Sequence, residues 1–394
     1  MISNKSNIAV FSLAYRPFEG GAEIAVREIM SRLKDFNFTV FTYKFARSWL
    51  SEERQNNIEI FRLGRGRKGN KRYGRIWNKT FYVFRAWQEA EKIHKKKRFH
   101  LIWAVMASYG GIAALFFKLN HPTIPLFLMV QEGDSERHMV FGKFGLIGFF
   151  GKRIIKTADY IQAISNYLKD FVKRRGAKAL IEIIPNGVDL ELFGTKYNNA
   201  ELKAIRENLG ITDEYVIVTT SRLVYKNAVD VLIEAIAVCK NKMLNVKCLI
   251  IGDGPEYKKL KVQSEKLKVG GNVLFLGQIP QRDLPLYLKI SDIFVRASRS
   301  EGLGSSFLEA MAAGLPVIGT PVGGIPDFLK EGKTGLYAKP DDPVDLAEKI
   351  RRLLTNPELR KKITENGQSL IQENYSWDRV AILFKNIFDK LINL

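Results

Sequence analysis

Short apolar runs alternate with amphipathic segments of helix length along the whole chain, and this alternation occurs twice. In the first half, the runs predict strands at residues 8–13, 38–43, 58–63, 101–106, 126–130, 161–165 and 181–184. In the second half, they predict strands at residues 216–221, 246–252, 273–277, 293–297, 316–320 and 335–338. Strands that alternate with helices are typical of parallel sheets covered by helices on both faces. We therefore predict an α/β protein with two doubly wound domains.

A turn-rich stretch, residues 185–189 (PNGVD), separates the two series and precedes a polar, helix-forming segment at residues 198–209. We expect the hinge between the domains here, since 394 residues exceed what one hydrophobic core usually serves. In doubly wound sheets, ligands bind beyond the carboxyl ends of the strands, so the crevice between two such domains is the expected site. The predicted division is into residues 1–190, 191–375 and a terminal helix at 376–394.

The composition is that of an ordinary globular protein, with 46% hydrophobic and 26% charged residues. Cys239 and Cys248 are the only cysteines, which is too few for a disulfide framework and suits a reducing compartment. The apolar run near the N-terminus ends at Arg16 and is too short for a signal-peptide core. The run at residues 144–150 falls well below the roughly 20 residues that span a bilayer. We expect a cytoplasmic protein, soluble or peripheral on the inner face of the cell membrane.

The net charge of +21 is concentrated in the first half of the chain. Residues 1–191 contain 33 Lys and Arg against 17 Asp and Glu, whereas the remainder contains 29 against 24. Two dense basic segments lie at residues 62–75 (RLGRGRKGNKRYGR) and 92–98 (KIHKKKR). Such runs attract a membrane leaflet, a lipid phosphate or a nucleic acid. They fit equally well with solvated loop and helix faces that have no dedicated partner.

The most informative stretch is SRSEGLGSSFLEAMAAGLPVIGT, residues 298–320, which follows a predicted strand and opens a predicted helix. Gly302 and Gly304 allow the backbone to approach a ligand closely. Ser305 and Ser306 are expected to cap the helix and to leave its first N–H groups pointing outward. A helix start of this kind suits an anion such as a diphosphate.

Two carboxylates flank this helix start. Glu301 precedes the helix, and Glu309 lies inside it, roughly 6 Å further along at 1.5 Å per residue. One carboxylate can therefore reach the sugar side of a bound diphosphate and the other the ribose side, with Leu303 and Ser305 between them. Taken alone, the two glutamates could also be surface carboxylates that the helix dipole favours.

Glu301 and residues 309–329 (EAMAAGLPVIGTPVGGIPDFL) resemble the donor-site signature of the retaining GT-B glycosyltransferases of family four. Further matches, in family order, are GGAE at 20–23, PNGVD at 185–189, SRLVYKN at 221–227 and IGDGP at 251–255. The helix-like segment 377–391 resembles the family's terminal helix, which returns to the first domain. The resemblance covers about residues 17–340 and implies the GT-B fold, with two facing Rossmann-like domains and an interdomain cleft.

The resemblance implies a role for each candidate residue. Arg222 and Lys226 would stabilise the departing diphosphate, together with backbone donors at residues 302–305. Glu301 would contact the sugar hydroxyls and Glu309 the ribose. The family further implies a nucleoside-diphosphate sugar as donor substrate, retention of anomeric configuration, and no metal or other cofactor. The sequence agrees on the last point, since no Asp-x-Asp ends a predicted strand and no His/Cys cluster is present.

The glycines and the two cations each have a second interpretation. The resemblance places Gly20 and Gly21 at the diphosphate from the first domain, and Gly252 in a glycine turn of the second. Taken singly, Gly252 and the Gly20-Gly21 pair are more typical of tight turns between strand and helix. Arg222 and Lys226 could be exposed charges beside a helix, but their position after a predicted strand favours the donor role.

The first domain departs from the family pattern at two strand ends. Family members commonly carry His-x-His and a later His-Gly pair, whereas this chain has WAV at residues 103–105 and QEGD at residues 131–134. Glu132 or Asp134, with His138 a further candidate, could hydrogen-bond the reactive sugar or the acceptor hydroxyl. Equally, Glu132 could merely stabilise its own loop.

Residues 141–153 (FGKFGLIGFFGKR) place aromatic side chains beside lysines, as an interfacial segment that grazes a membrane requires. An internal core helix is the commoner explanation of such a segment. Together with the basic first half, the segment predicts peripheral binding to anionic membranes and a lipid-linked or polysaccharide acceptor.

Two other functions compete with sugar transfer. A sugar-nucleotide epimerase on the same fold would bind the same nucleotide, and a basic nucleic-acid-binding protein would use the charged first half. The second has only bulk charge in its favour, because the sequence has no zinc finger and no aromatic RNA-binding motif. The motifs fit UDP- and GDP-linked donors equally, since the pocket wall at residues 277–282 and 301–303 uses backbone contacts.

Overall fold

The computed structural model describes residues 5–17, 20–66, 76–134, 136 and 146–393 of the chain. The candidate His138 lies outside the described residues, as do parts of the segments 62–75 and 141–153. The chain forms two compact units, Met1–Asn186 with Trp377–Leu394, and Gly187–Ser376. The first break falls inside the turn-rich stretch 185–189, whereas the sequence placed the domain limits after residues 190 and 375.

The first unit is built on one eight-stranded sheet. Its strands are β1 (Ser6–Phe11), β2 (Phe36–Tyr43), β3 (Glu52–Gln55), β4 (Ile58–Leu63), β5 (Leu101–Val105), β6 (Leu126–Val130), β7 (Tyr160–Ala163) and β8 (Leu180–Ile183). They lie in the order β3-β4-β2-β1-β5-β6-β7-β8, and all pairs are parallel except β3 with β4. The sequence did not predict β3, because its residues EERQ are polar and no apolar run marks this edge strand.

The second unit is built on a six-stranded sheet with the order β11-β10-β9-β12-β13-β14. Its strands are β9 (Tyr215–Thr220), β10 (Val246–Ile251), β11 (Val273–Gly277), β12 (Ile293–Arg296), β13 (Val317–Gly319) and β14 (Leu336–Tyr337), all in parallel pairs. Each predicted strand of both series coincides with an observed strand to within two residues at either end. The predicted α/β architecture with two doubly wound sheets is therefore confirmed.

The helices connect the strands and cover both sheets. They are α1 (Gly21–Arg32), α2 (Ile76–His94), α3 (Tyr109–Asn120), α4 (Leu146–Thr157), α5 (Asn166–Arg174), α6 (Leu190–Gly194), α7 (Asn199–Asn208), α8 (Val229–Asn241), α9 (Tyr257–Lys266), α10 (Leu284–Lys289), α11 (Ser305–Ala312), α12 (Ile325–Phe328), α13 (Pro343–Thr355), α14 (Pro357–Asn374) and α15 (Trp377–Ile392). Within the described ranges, none of these helices is both long enough and apolar enough to cross a membrane.

The terminal helix α15 completes the core of the first unit. Its buried residues recur every three or four positions, which gives one apolar stripe along the helix. On that stripe, Phe388 lies with its ring 5.3 Å from Trp103 and 5.3 Å from Phe127, centroid to centroid. Phe384 packs beside it, 5.5 Å from Phe127. The last segment of the chain therefore covers the first sheet, next to α1.

The second unit has its own core, in which α8 packs between the sheet and α13. Cys239 on α8 and Cys248 on β10 are buried there as free thiols. Burial raises the pKa of Cys239 to about 11, so its thiol stays protonated and behaves as an apolar packing group.

Replacing Phe388 by alanine should destabilise the first unit by about 3–5 kcal/mol, since the cavity would open between α15 and the sheet. Native-state hydrogen exchange of the β5 and β6 amides measures this loss in the affected unit. Ile382 lies on the exposed side of the same helix, with 60% of its surface accessible. Its replacement by alanine is the matched control and should change protection by less than about 0.5 kcal/mol. Equal effects of the two substitutions would contradict the packing described for α15.

Candidate functional site

The carboxyl edge of the second sheet has one position where the strand order reverses. The chain leaves β9 toward β10 on one side, whereas β12 adds to the other side of β9. The loops after β9 and β12 therefore diverge from neighbouring strand ends, and a crevice opens between them. Most residues of the second half that were predicted to bind a nucleoside-diphosphate sugar lie on these two loops and at the start of α11.

Glu301 is buried in the loop after β12, with 6% of its surface accessible. Its Oε1 atom lies 2.5 Å from Nη2 of Arg296, so the buried carboxylate has a cationic partner. The carbonyl oxygen of the same residue accepts a hydrogen bond from the backbone N–H of Gly324. A Cβ atom at Gly323 would lie 1.7 Å from that carbonyl oxygen, so only glycine fits where the turn after β13 crosses the Glu301 loop.

The start of α11 differs from the prediction. Gly304 is the N-cap residue, with φ of +95°, and no side chain caps the helix. The expected capping by Ser305 and Ser306 is wrong, because both serines already belong to the first turn of the helix. Instead, the Ser306 hydroxyl accepts a hydrogen bond from Arg296 at 2.7 Å. In the first turn, the N–H of Phe307 donates to the carbonyl of Gly304 at 2.9 Å. The N–H groups of Ser305 and Ser306 come at the very start of the helix, where no preceding turn supplies an acceptor, and this is the property that an anion requires.

Gly302 and Leu303 are buried together with Gly304 immediately before α11, while Ser305 is half-buried. Glu309 follows one turn into the helix and is also half-buried. Burial raises the pKa of Glu309 to about 7, against the lowering effects of a hydrogen bond from Gln281 and of the charge of Arg296. This carboxyl is therefore close to half-protonated at neutral pH.

Arg222 and Lys226 lie on the loop after β9. Arg222 is exposed and Lys226 is half-buried, within a short 3₁₀ helix at Tyr225–Asn227. The Nδ2 atom of Asn227 donates to the carbonyl of Arg222 at 2.6 Å. From the β12 side, the N–H of Arg299 donates to the carbonyl of Lys226 at 2.7 Å. The structure thus brings the two cations of this loop to the same sheet edge as Glu301.

Gly252 follows β10 on the same edge, with φ of +135°. A Cβ atom there would lie 1.8 Å from the carbonyl oxygen of Ser221, and one at Gly254 would lie 2.3 Å from that of Leu223. Both glycines are therefore required by the packing of their turn against the loop after β9. This steric need explains them as a tight turn, and ligand contact by Gly252 stays a prediction.

Gly20 and Gly21 open α1 in the first unit, where Gly20 is the N-cap residue in an extended conformation. Apart from its chain neighbours and the backbone of its own helix, a Cβ atom at Gly21 would meet no atom of the described residues within 4 Å. The described part of the chain gives no packing reason for glycine at this position, in contrast to Gly252. The role that the resemblance implies for the Gly20-Gly21 pair stays a prediction.

Glu132 follows β6 in the first unit and is held by backbone amides. Its Oε1 atom accepts from the N–H of Ala107 at 2.7 Å and its Oε2 atom from the N–H of Gln131 at 2.9 Å. Burial raises the pKa of its carboxyl, although these amide hydrogen bonds oppose the rise. The carboxylate thus ties the end of β6 to the segment after β5, which supports the loop-stabilising interpretation. A role of Glu132 in the chemistry stays a prediction, as does one for the exposed Asp134.

The sequence missed the side chains that hold this site together. Arg296, Asn227 and Arg299 were not predicted as site residues, yet Arg296 bonds to Asn227 and Arg299 to the carbonyl of Tyr225, which ties the two loops together. The sequence did contain a signal for Arg296, namely a charged residue at the end of the apolar strand IFVR. A buried arginine requires hydrogen-bond acceptors, so this position indicates polar partners nearby. Within the part of the chain that the structure describes, no three His, Cys, Asp or Glu side chains are arranged to hold a metal ion.

Two protein-family models match this chain. The model described as glycosyl transferases group 1 matches residues 201–370, and the model described as glycosyltransferase family 4 matches residues 19–192. Together they span most of the chain in the order expected from its motifs. The chain belongs to the family 4 glycosyltransferases. It is therefore a glycosyltransferase of GT-B type.

Relatives of this glycosyltransferase come from archaea and bacteria. An uncharacterized glycosyltransferase of Methanocaldococcus jannaschii is 27% identical over 379 residues, which cover 96% of each chain. The GDP-mannose-dependent alpha-(1-6)-phosphatidylinositol monomannoside mannosyltransferase of Mycolicibacterium smegmatis is 30% identical over 235 residues. That match covers 57% of this chain and 61% of the relative.

The fold of this glycosyltransferase is also found among solved structures. The sucrose-phosphate synthase of Thermosynechococcus elongatus superposes with a TM-score of 0.84 at 22% identity. The superposition covers 98% of this chain and 99% of the other. The GT-B fold that the sequence predicted is therefore confirmed.

The raised pKa of Glu309 predicts a pH-dependent cost to stability. Between the unfolded value of 4.5 and about 7, the folded protein binds more protons at this carboxyl than the unfolded chain does. Unfolding free energy should therefore fall by on the order of 2 kcal/mol between pH 5 and pH 8, relative to Glu309→Gln, which carries no titrating group. Thermal unfolding of both proteins without ligand across this range measures the difference.

Glu365→Gln, on the exposed face of α14, is the substitution control and should follow the wild-type profile. Parallel pH profiles for wild type and Glu309→Gln would show that Glu309 ionises as it does in solvent.

Proposed function

We propose that this glycosyltransferase moves a hexose from a UDP- or GDP-linked sugar to a lipid-linked or polysaccharide acceptor, with retention of anomeric configuration and without a metal ion. The observation that carries the proposal is the convergence of Glu301, Arg222 and Lys226 at the switch point of the second sheet, beside the start of α11. The proposed reaction needs a carboxylate beside the sugar hydroxyls and cations beside the diphosphate. Both kinds of group lie at the same edge of the second sheet. An epimerase on the same fold would bind the same nucleotide but would also need proton-transfer groups at the sugar carbon, and incubation with the sugar nucleotide alone distinguishes it. Only bulk charge favours a nucleic-acid-binding protein.

Negative charge grows on the diphosphate as the bond to the sugar breaks. Arg222 and Lys226 offer positive charge to it, and the N–H groups of Ser305 and Ser306 at the start of α11 offer hydrogen bonds. The two cations are held in place before the reaction, because Asn227 and Arg299 bond to the loop after β9 that carries them. Such stabilisation replaces a divalent cation in this proposal. Glu309, one turn into α11, is assigned to the ribose hydroxyls.

A lipid-linked acceptor is supported by the relative from Mycolicibacterium smegmatis, whose name specifies transfer to a phosphatidylinositol monomannoside. The same relative is named as GDP-mannose-dependent, so GDP-mannose is a first donor to test beside UDP-glucose. An acceptor anchored in a bilayer requires the enzyme to work at the membrane surface.

An aromatic and basic surface of the first unit suits such a membrane. We define the α2–α3–α4 face as the exposed sides of these three helices. The ring centroids of Phe84 and Phe116 lie 6.0 Å apart, those of Phe116 and Phe150 6.2 Å, and those of Phe150 and Phe149 5.5 Å. Aromatic rings therefore run across all three helices. Phe84 and Phe149 are 48% and 63% exposed.

Among the described residues of this face, the exposed charged side chains are basic. The exposed basic side chains of the face are Arg85, Lys92, Lys152, Arg153 and Lys156. The described residues of α3 and α4 include no acid, and the two acids of α2 are partly buried and engaged, Glu89 with Lys92 and Glu91 with His121. Exposed aromatic rings among cations fit the headgroup region of an anionic bilayer. The proposed location is therefore peripheral, on the cytoplasmic side of the cell membrane.

Replacing Lys226 by methionine should lower kcat for sugar transfer by about 10²–10³-fold, because one preorganised donor to the leaving group is lost. Glu301→Gln should have an effect of similar size. The measurement is product formation from UDP-glucose and GDP-mannose with lipid acceptors, with the anomeric configuration of the product read by NMR. EDTA should leave the wild-type rate unchanged. Lys242→Met, exposed at the end of α8, is the matched control. Wild-type rates for Lys226→Met, or loss of activity in EDTA, would contradict the proposed mechanism.

The double substitution Phe84→Ser with Phe149→Ser should reduce binding to phosphatidylglycerol vesicles by about tenfold or more, since two exposed rings leave the interface. Flotation of the purified protein measures the bound fraction, and binding should weaken as salt rises. Met243→Ser, on the second unit, removes a comparably exposed apolar side chain and serves as control. Failure of the wild type to float at low salt would remove the membrane from the proposal.

A further inference from the structure

Arg296 ends β12 and is almost fully buried, with 12% of its side chain exposed. Its guanidinium contacts side chains from three segments. Nη2 contacts Oε1 of Glu301 at 2.5 Å and donates to Oδ1 of Asn227 at 3.0 Å, Nη1 donates to Oγ of Ser306 at 2.7 Å, and Nε donates to Oγ of Ser298 at 3.2 Å. All of these partners lie at the carboxyl edge where the donor site is proposed.

Asn227 extends these contacts to the cationic loop. Its Oδ1 accepts from Arg296, while its Nδ2 donates to the carbonyl of Arg222, and it directly follows Lys226. A single guanidinium thus joins the sugar-side carboxylate, the loop that carries both cations and the first turn of α11.

The contribution of the Arg296–Glu301 ion pair to the free energy of unfolding does not by itself account for its burial here. Taking a carboxylate and a guanidinium out of water costs about as much as their attraction returns, so buried ion pairs are often neutral compared with apolar residues. What the planar guanidinium does provide is direction. Several donors fixed in one plane hold several acceptors at set angles, which a lysine ammonium cannot do.

We propose that Arg296 is a positioning residue of the donor site, which orients the Glu301 carboxylate and holds the Arg222–Lys226 loop against the start of α11 through Asn227. The proposal rests on the proposed role of Glu301 toward the sugar. Arg296 acts on the substrate through Glu301 and Asn227 in this scheme, because four of the five N–H groups of its guanidinium already have protein partners.

The test uses the full chain with UDP-glucose and GDP-mannose as donors, whichever the wild type turns over. Arg296→Met should lower kcat by about 100-fold with a smaller change in KM, since an interaction needed for the reacting geometry is lost. Arg296→Lys should recover only part of the rate. The control is Arg206→Met, which removes a guanidinium bonded to the carbonyls of Glu214 and Ile290 but keeps wild-type kcat. Should Arg296→Met fail to fold by circular dichroism, Arg296→Lys carries the test.

A double-mutant cycle separates positioning from a general loss of structure. Because Arg296 acts partly through Glu301 and partly through Asn227, Arg296→Met should cost about tenfold or less in a Glu301→Gln background, although it costs about 100-fold in the wild type. If the two substitutions lower kcat by independent factors that multiply, the positioning role of Arg296 is overturned while the proposed function stays intact. Wild-type turnover by Glu301→Gln, or no donor turnover at all, would overturn the proposed function and this inference with it.

Discussion

The neighbouring positions of β9 and β12 in the second sheet are the constraint on which the site depends. Parallel strands deliver all their carboxyl ends to one edge, and the reversal of strand order between β9 and β12 opens that edge at a single place. Arg222 and Arg296 are far apart in the chain, yet Asn227 bonds to both of them at this point. A different strand order would leave Lys226 and Glu301 at separate strand ends.

Burial of charge shapes the site as strongly as topology does. A carboxylate removed from water must be paired, hydrogen-bonded or protonated, because an isolated buried charge costs several kcal/mol. The three candidate glutamates illustrate the three outcomes. Glu301 is paired with Arg296, Glu132 accepts from backbone amides, and Glu309 has its pKa raised to about 7. The same residue type therefore has a different environment at each of the three positions.

The glycines divide in a similar way. Gly252 and Gly323 are fixed by the protein itself, since any side chain would collide with a crossing backbone carbonyl. At Gly21, no such collision arises with the residues that the structure describes, so their packing does not require glycine there. Crowding of the backbone therefore explains Gly252 and Gly323 but does not explain Gly21, which lies at a helix start.

The amino-acid sequence by itself determined every strand except β3, the alternation of strands with helices and the order of motifs, because period and turn residues act locally. It therefore gave the α/β class and placed Arg222, Lys226, Glu301 and Glu309 after the strands that carry them. It could not find β3, whose polar residues pair only because β4 lies beside them. It also could not find the Arg296 contacts or the Gly304 cap. Those contacts join residues distant in the chain, and the cap depends on a left-handed turn, so only the tertiary structure decided them.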